Sequence, residues 1–361
     1  MSEDGADEHH EIAASGLDAG LVVIRAASAL QFEASQAGAV PGLEQVRDDV
    51  WALGIAMPGG HIPFSLLYLL RDAAGRIHVV DPGSDSAENW QCLISALERI
   101  GADVGSVGSI TATHLHPDHL GMAGRLQAAS GAPLQMHIAE QRALAAMRGN
   151  ELSPLVIARQ LGEWEVPVSR RAEMEHLRRG VSERPVPGVD RVVSDGDRLD
   201  IPGFDLTVMH TPGHTSGHLC LRDDERSLIV TGDHVLPTMH AGIGLGGRTD
   251  ANPLADYLAS LRAVAVYPDH EVLPGHGYRF IGLDTRARES AEHHLRRSRE
   301  VAAALDDARD LSIWQIAERL TWTAGWENLS GFFLYSALSQ TAMHKAFVEG
   351  GGLDRFAAMS G

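Results

Sequence analysis

Thr113-His114-Leu115-His116-Pro117-Asp118-His119-Leu120-Gly121 places four metal-competent side chains within six consecutive positions. A β-branched and apolar run, Ser109 to His114, leads into it, and a helical pattern from Pro117 to Ala129 leads out. In extended chain His114 and His116 lie two apart and face the same side. Pro117 suits the first position of a helix, which turns Asp118 and His119 back toward that side. A His-x-His-x-Asp-His pattern is expected by chance in only a few of every ~1,000 chains of this composition. The stretch therefore predicts a strand-to-helix turn built around a metal.

Upstream, the runs Leu21 to Ile24, Val50 to Ile55, Phe64 to Leu70 and Ile77 to Val80 are separated by Pro-Gly, Gly-Gly and Ala-Gly turn signals and read as strands. Ser86 to Ile100 carries apolar residues at Trp90, Leu93, Ile94, Leu97 and Ile100, a helical period that Gly101 closes. Downstream come a short strand, Leu134 to His137, and a helix, Ala139 to Met147. Helical patterns at Leu152 to Leu161 and Ser169 to Arg179, with a Pro-rich exit, mark a candidate insertion at about 150–190. A second half then offers strands Asp205 to His210, His218 to Leu221 and Ser227 to Thr231, helix Pro253 to Val266, and strand Glu271 to Leu273. Residues 284–348 read as entirely helical. The resulting division is an acidic tail (1–19), a strand-and-helix domain with its insertion (20–283) and a helical C-terminal subdomain (284–361).

At about 150 residues per domain, 361 residues make roughly two domains. With 44% apolar and 22% charged residues the composition is that of a soluble globular protein. No apolar run approaches the ~20 residues that span a bilayer. The acidic start lacks the basic and apolar segments of a secretory signal, so a cytoplasmic location is expected. The net charge of −18 opposes binding to nucleic acid or to anionic membranes. Cys92 and Cys220 lie in apolar settings and are expected to be reduced core thiols. The 19 histidines are unusual in number. His9, His10, His293 and His294 read as solvated surface, and His61, His210, His234 and His240 receive no role.

Three further signals follow at long separation, each at the end of an apolar strand. They are His210-Thr-Pro-Gly-His214-Thr-Ser-Gly-His218, Thr231-Gly-Asp233-His234, and Leu273-Pro-Gly-His276-Gly277. Imidazole suits zinc and iron, carboxylate can bridge two cations, and glycine lets backbone approach a crowded centre. Together with Val79-Val80-Asp81-Pro82-Gly83, these four stretches resemble, in order, the five motifs of the metallo-β-lactamase-fold hydrolases, glyoxalase II-like enzymes and lactonases among them.

The resemblance implies an α/β fold, an αββα sandwich of two mixed sheets with the metals at one edge. It implies that His114, His116 and His214 bind one metal, that Asp118, His119 and His276 bind the other, and that Asp233 bridges them. Asp81 would brace the metal loops, and His218 would steady the loop carrying His214. Two divalent cations, zinc by default with iron or manganese acceptable, can share a water and bring its pKa from 15.7 toward 7. The expected activity is that of a dinuclear hydrolase, whose bridging hydroxide, oriented by Asp118, cleaves an ester, thioester or lactone. The alternatives are a phosphodiesterase or nuclease of the same fold, a mononuclear iron enzyme of sulfur oxidation, and a metal scaffold without turnover. The expected partner is a small acyl substrate, with no nucleic acid and no membrane; a homodimer is allowed. Trp322, Trp326, Phe332 and Tyr335 are candidates for an apolar pocket over the metals, or else for the core of the helical subdomain.

Overall fold

A computed structural model describes residues 24–58, 62–148, 154–175, 187–247, 249, 251–308, 310–322 and 324–358. The expected acidic tail, His9, His10, His61 and parts of the insertion lie outside the described residues. A short strand β1 (Arg25–Ala26) and helix α1 (Ala29–Ala37) come first. A seven-stranded sheet follows, in spatial order β2 (Glu44–Arg47), β3 (Val50–Ala56), β4 (Phe64–Arg71), β5 (Ile77–Val80), β6 (Val107–Thr111), β7 (Leu134–His137) and β8 (Arg191–Val193). It begins antiparallel and becomes parallel from β5 onward. The second sheet uses β9 (Leu206–His210), β10 (Leu219–Asp223), β11 (Leu228–Gly232), β12 (Glu271–Pro274) and β13 (Phe280–Ile281), with β1 on its far edge.

The helices of the first half are α2 (Ala87–Arg99), α3 (Pro117–Leu120), α4 (Ala123–Ser130) and α5 (Ile138–Arg148), followed by α6 (Pro154–Glu163) and α7 (Val168–Glu175) of the insertion. Those of the second half are α8 (Pro253–Val264), α9 (Leu283–Asp307), α10 (Ile313–Ala317), α11 (Gly331–Glu349) and α12 (Gly352–Ala358). Among the described residues no helix is long and apolar enough to cross a membrane.

The strand patterns explain the layering. β3 and β4 are near-continuous apolar runs because both their faces are covered. Trp51, Leu53, Ile55, Leu67 and Leu69 point to one face, where α2 and α4 supply Leu93, Leu97 and Leu126. The alternate residues Val50, Ala52, Phe64, Leu66, Tyr68 and Leu70 point to the other, against Val208, Leu219, Leu221 and Val230 of the second sheet. That sheet's outer face packs on α8, α9 and α11 through Leu258, Leu261, Leu283 and Phe347. The result is the expected αββα sandwich.

Four details differ from the sequence reading. Helix α1 and the strands β2, β8 and β13 occupy stretches in which the sequence marks no element. The helix expected from Pro117 to Ala129 is two pieces, because the Met122 N–H leaves the helical ladder and donates to the Gly83 carbonyl at 2.9 Å. The C-terminal region breaks between α9 and α11, with only α10 and a single 3-10 turn, Trp326–Asn328, in that interval among the described residues. His294 is buried, since it falls on the stripe of α9 that includes Ser290 and Ser298, and His293 stacks on His240 with ring centroids 3.9 Å apart.

The insertion and the C-terminal helices share one apolar cluster, in which Leu161, Trp164 and Met174 meet Trp314, Leu334 and Leu338. The Tyr335 hydroxyl donates to Gln160 at 2.9 Å, and the Gly331 N–H donates to Glu173 at 2.8 Å. Two segments far apart in sequence thus make one helical unit, and α11 runs from it onto the second sheet.

Candidate metal centre

The C-terminal ends of β5, β6, β9, β11 and β12 lie along one edge of the sandwich, and the loops leaving them carry every motif residue. Crossing bonds tie the two sheets together there. The Leu66 N–H donates to the Gly275 carbonyl at 2.7 Å, the Leu219 N–H to the Thr113 carbonyl at 2.9 Å, and the Tyr68 hydroxyl to the Pro274 carbonyl at 2.7 Å.

Two groups of ligand atoms result, one from His114, His116, His214 and Asp233, the other from Asp118, His119 and His276; within each group the atoms lie within 4.8 Å of one another. His116 Nδ1 is 3.0 Å from His114 Nε2 and 3.1 Å from His214 Nε2. Asp233 stands between the groups. Its Oδ2 lies 3.5 Å from His214 Nε2, and its Oδ1 lies 3.3 Å from the Nε2 of both His119 and His276. Asp118 Oδ2 is 3.2 Å from His276 Nε2.

The far side of each ring fixes which nitrogen carries the proton. The Thr113 hydroxyl donates to Asp81 Oδ2 at 2.7 Å, so at 3.0 Å it accepts from His114 Nδ1. His116 Nε2 donates to the Leu245 carbonyl, His214 Nδ1 to the Gly242 carbonyl, and His276 Nδ1 to the Phe64 carbonyl. His119 Nδ1 donates to Asp81 Oδ2 at 2.9 Å. In the first group three imidazole lone pairs therefore point at one another across about 3 Å, an arrangement that repels unless a cation sits among them. Tetrahedral zinc at 2.0–2.1 Å holds neighbouring donors about 3.3 Å apart, which is close to the spacing seen. Asp233 Oδ1 is buried without a hydrogen-bond partner. The residues present fit a pair of divalent cations.

Electrostatics divides the groups. Burial, reinforced by the neighbouring imidazoles, holds His114 well below the usual histidine range and brings His214 down to about 4. Burial also lowers His116. These rings are neutral and ready to donate lone pairs. Around His119 and His276 burial again opposes charge, but Asp233 and Asp118 outweigh it, so both are pushed up, His276 to about 10. Asp118 and Asp233 are held far below the usual carboxylate range: burial opposes ionisation, and the facing histidines overcome it. A cation entering the second group would exchange with protons.

Asp81 accepts three hydrogen bonds, from the Thr113 N–H and hydroxyl and from His119, and sits at φ +52° in the left-handed region. It reaches the second group directly through His119 and the first only through Thr113, which meets His114. His218 Nε2 accepts the Asp233 N–H at 3.2 Å while its Nδ1 meets Thr211, so it holds Asp233 in place between the two groups.

Glu140 is a functional residue that the sequence reading misses. It is fully buried at the start of α5, and its carboxylate accepts the Leu115 N–H at 2.8 Å and the Gly217 N–H at 2.7 Å, clamping two ligand loops together. Burial pushes its pKa up to about 7 against those two hydrogen bonds. Its only sequence signal is an acid in the first turn of a helix. Of the four aromatic candidates, Trp322, Trp326 and Tyr335 pack against the helical unit's cluster, and Phe332 is 56% exposed at the start of α11.

Residues 63–276 match the model of the metallo-beta-lactamase superfamily. The chain is 25% identical over 294 residues to a beta-lactamase-like protein 2 homolog of Caenorhabditis elegans, covering 80% of this chain and 81% of that one. It is 36% identical over 93 residues to a hydroxyacylglutathione hydrolase of Rhizobium meliloti, covering 26% of this chain and 34% of that protein. Among solved structures, a metallo-beta-lactamase family protein from Thermus thermophilus superposes with a TM-score of 0.69 at 25% identity, covering 85% of this chain and 95% of the other.

Proposed function

Because the chain belongs to the metallo-beta-lactamase superfamily, whose members are mostly hydrolases, we propose that it is a dinuclear metal-dependent hydrolase of a small ester, thioester or lactone. The observation that carries this reading is the pair of donor groups sharing Asp233, one offering neutral imidazoles and the other carboxylate and imidazole. Zinc is the proposed metal, because five imidazoles and two carboxylates suit it. Two divalent cations bound there would supply Lewis acidity for water and for a substrate carbonyl.

The protein's own groups do the rest. Asp118, with its side chain 17% exposed against 10% for Asp233, is the carboxylate nearer solvent. Its pKa lies too low for it to store a proton near neutrality, so it acts by accepting a hydrogen bond from the attacking water and fixing that water's direction. Asp233 holds the two groups at a common point, and His218 fixes Asp233. The protein's negative charge favours a small acyl compound over a polyanion.

The test is elemental analysis of protein purified without chelator, run beside turnover of p-nitrophenyl esters, acyl thioesters, lactones and bis-p-nitrophenyl phosphate. Two zinc ions per chain and carbonyl-substrate turnover are expected, with turnover and the zinc of the three-histidine group lost in His116→Ala. Turnover of the phosphodiester alone, or a single iron with oxygen uptake, would move the activity to another branch of the fold. Wild-type turnover in His116→Ala with unchanged metal content overturns the proposed centre.

A further inference from the structure

Leu245 and Gly242 lie in Gly242-Ile-Gly-Leu-Gly-Gly247, a segment between β11 and α8 that contributes no ligand side chain. Its backbone nevertheless serves two of the three histidines of the first group. The Gly242 carbonyl accepts from His214 Nδ1 at 2.7 Å, and the Leu245 carbonyl accepts from His116 Nε2 at 3.2 Å. The segment also runs alongside the histidine loop, the Gly244 N–H donating to the Gly213 carbonyl and the Leu245 N–H to the His214 carbonyl, both at 2.8 Å. Gly246 permits that approach: a Cβ there would lie 2.8 Å from Thr215 Cβ and 3.0 Å from its Cα.

The segment is located from behind by the C-terminal helices. Met343 of α11 abuts Gly244, where a Cβ would stand 2.7 Å from the thioether sulfur. Asn252, which caps α8, donates to the Met343 carbonyl at 3.0 Å. Arg286 of α9 donates to the Leu236 and Met239 carbonyls at 2.7 and 2.8 Å, holding the approach to the same segment. Ala241 and Ile243 are buried in the apolar cluster that includes Phe347 of α11.

We propose that residues 242–247 are a positioning element for the three-histidine group, fixing the proton-bearing nitrogens of His116 and His214, and that α11 sets the element's place through Met343. The helical C-terminal region thereby governs metal affinity at one of the two sites. The inference rests on the metal-centre reading above and adds to it a selective dependence that the ligand set alone would not have.

The experiment loads chelator-stripped protein with Zn(II) or Co(II), separates free ion by gel filtration, and reads stoichiometry, affinity and the Co(II) visible spectrum. Wild type is expected to hold two ions. In Gly246→Ala the added methyl pushes the segment off Thr215, so one ion is lost at least tenfold more readily while the other stays. The Co(II) bands of the histidine-rich site shift with it. Met343→Ala, which changes no residue of the segment, weakens the same site several-fold, and Met343→Leu restores it. If Gly246→Ala does not fold, the two Met343 variants decide the matter. Wild-type affinity at both sites in Gly246→Ala, or in Met343→Ala, overturns the proposal. Equal weakening of both sites overturns it as well, because that is a general loss of packing. Wild-type protein that binds no ion fails differently, since it removes the metal centre itself.

Discussion

Asp81→Asn changes one atom type and should weaken one of the two metal sites. In the native protein Asp81 Oδ2 accepts from the Thr113 hydroxyl at 2.7 Å and from His119 Nδ1 at 2.9 Å, and Oδ1 accepts the Thr113 N–H at 2.7 Å. An amide keeps the acceptor that faces the Thr113 N–H but puts an NH2 where Oδ2 stood. The threonine hydroxyl can rotate to accept from it, whereas His119 cannot adapt without loss. Either the ring keeps its Nδ1 proton against a donor, or the proton moves to Nε2, which faces Asp118 and Asp233 and is the nitrogen a metal needs. Losing a charge-assisted bond in a buried site costs ~1.5–3 kcal/mol. Assigned wholly to metal binding, that is about 10- to 100-fold in affinity, the range found when the outer partner of a ligand histidine is removed. Titrating the stripped protein with Zn(II) against a chromophoric chelator should show one binding constant weakened by that factor and the other changed less. Thr113→Val should give the opposite pattern, because it strands the Nδ1 proton of His114 while Asp81 Oδ2 loses one donor but keeps the bond from His119. Two wild-type binding constants in Asp81→Asn would refute the tautomer argument.

Three other outcomes are expected. Gly275→Ala should abolish binding of both ions with every ligand retained, because its Cβ would stand 2.5 Å from Asp233 Oδ1 and 2.6 Å from His119 Cε1; elemental analysis reads it, and two ions retained would contradict that geometry. Glu140 is raised in the folded protein from 4.5 to about 7, so the folded state holds the extra proton between those values and stability falls as pH rises through that window, levelling off above it. The wild-type stability relative to Glu140→Gln, both in chelator, should drop by ~1.4 kcal/mol per pH unit there, about 3 kcal/mol in all, and a difference independent of pH would count against the assignment. Trp326→Ala should lower Tm with KM unmoved, since the ring packs on Trp314 at 5.0 Å and on Trp322 at 6.2 Å. The half-buried ring is worth ~2 kcal/mol, and a raised KM with unchanged Tm would instead put Trp326 in a substrate pocket.

What the sequence discloses about the centre follows from where its information lies. His114, His116, Asp118 and His119 are neighbours, so their pattern is visible in nine residues, and strands such as Val50–Ala56 announce themselves by apolar runs. Glu140 acts on Leu115 and Gly217, 25 and 77 residues away, and nothing local distinguishes it from any acid in a first helical turn. The acceptors at Gly242, Leu245 and Phe64 are backbone carbonyls, which every residue possesses, so no side-chain pattern could mark them. β2 escapes a pattern search because Glu44-Gln-Val-Arg47 is an edge strand with one buried residue. α1 is equally hard to read because of its large residues only Gln31 is buried, tied to Glu44 instead of to an apolar core. His294 looks solvated among charged neighbours, yet the helical stripe through Ser290 and Ser298 decides its burial.

The outer partners also explain why the centre belongs to the whole sandwich and not to either half. Phe64, on the first sheet, fixes the proton of His276 from the second. Leu245, from the second half, fixes that of His116 in the first. Glu140 takes one N–H from each side. The lone pairs consequently converge only once the two inner sheet faces have closed over Phe64, Leu66, Val208 and Leu219. A cation that binds this arrangement and not the open chain favours the closed sandwich by RT ln(1 + [M]/Kd), about 2.7 kcal/mol per site at a hundredfold excess over Kd. The same crossing makes repulsion among the facing nitrogens a cost of folding that a bound ion removes. The placement of imidazole protons by distant carbonyls is therefore one thermodynamic link between the apolar core of this fold and its chemistry.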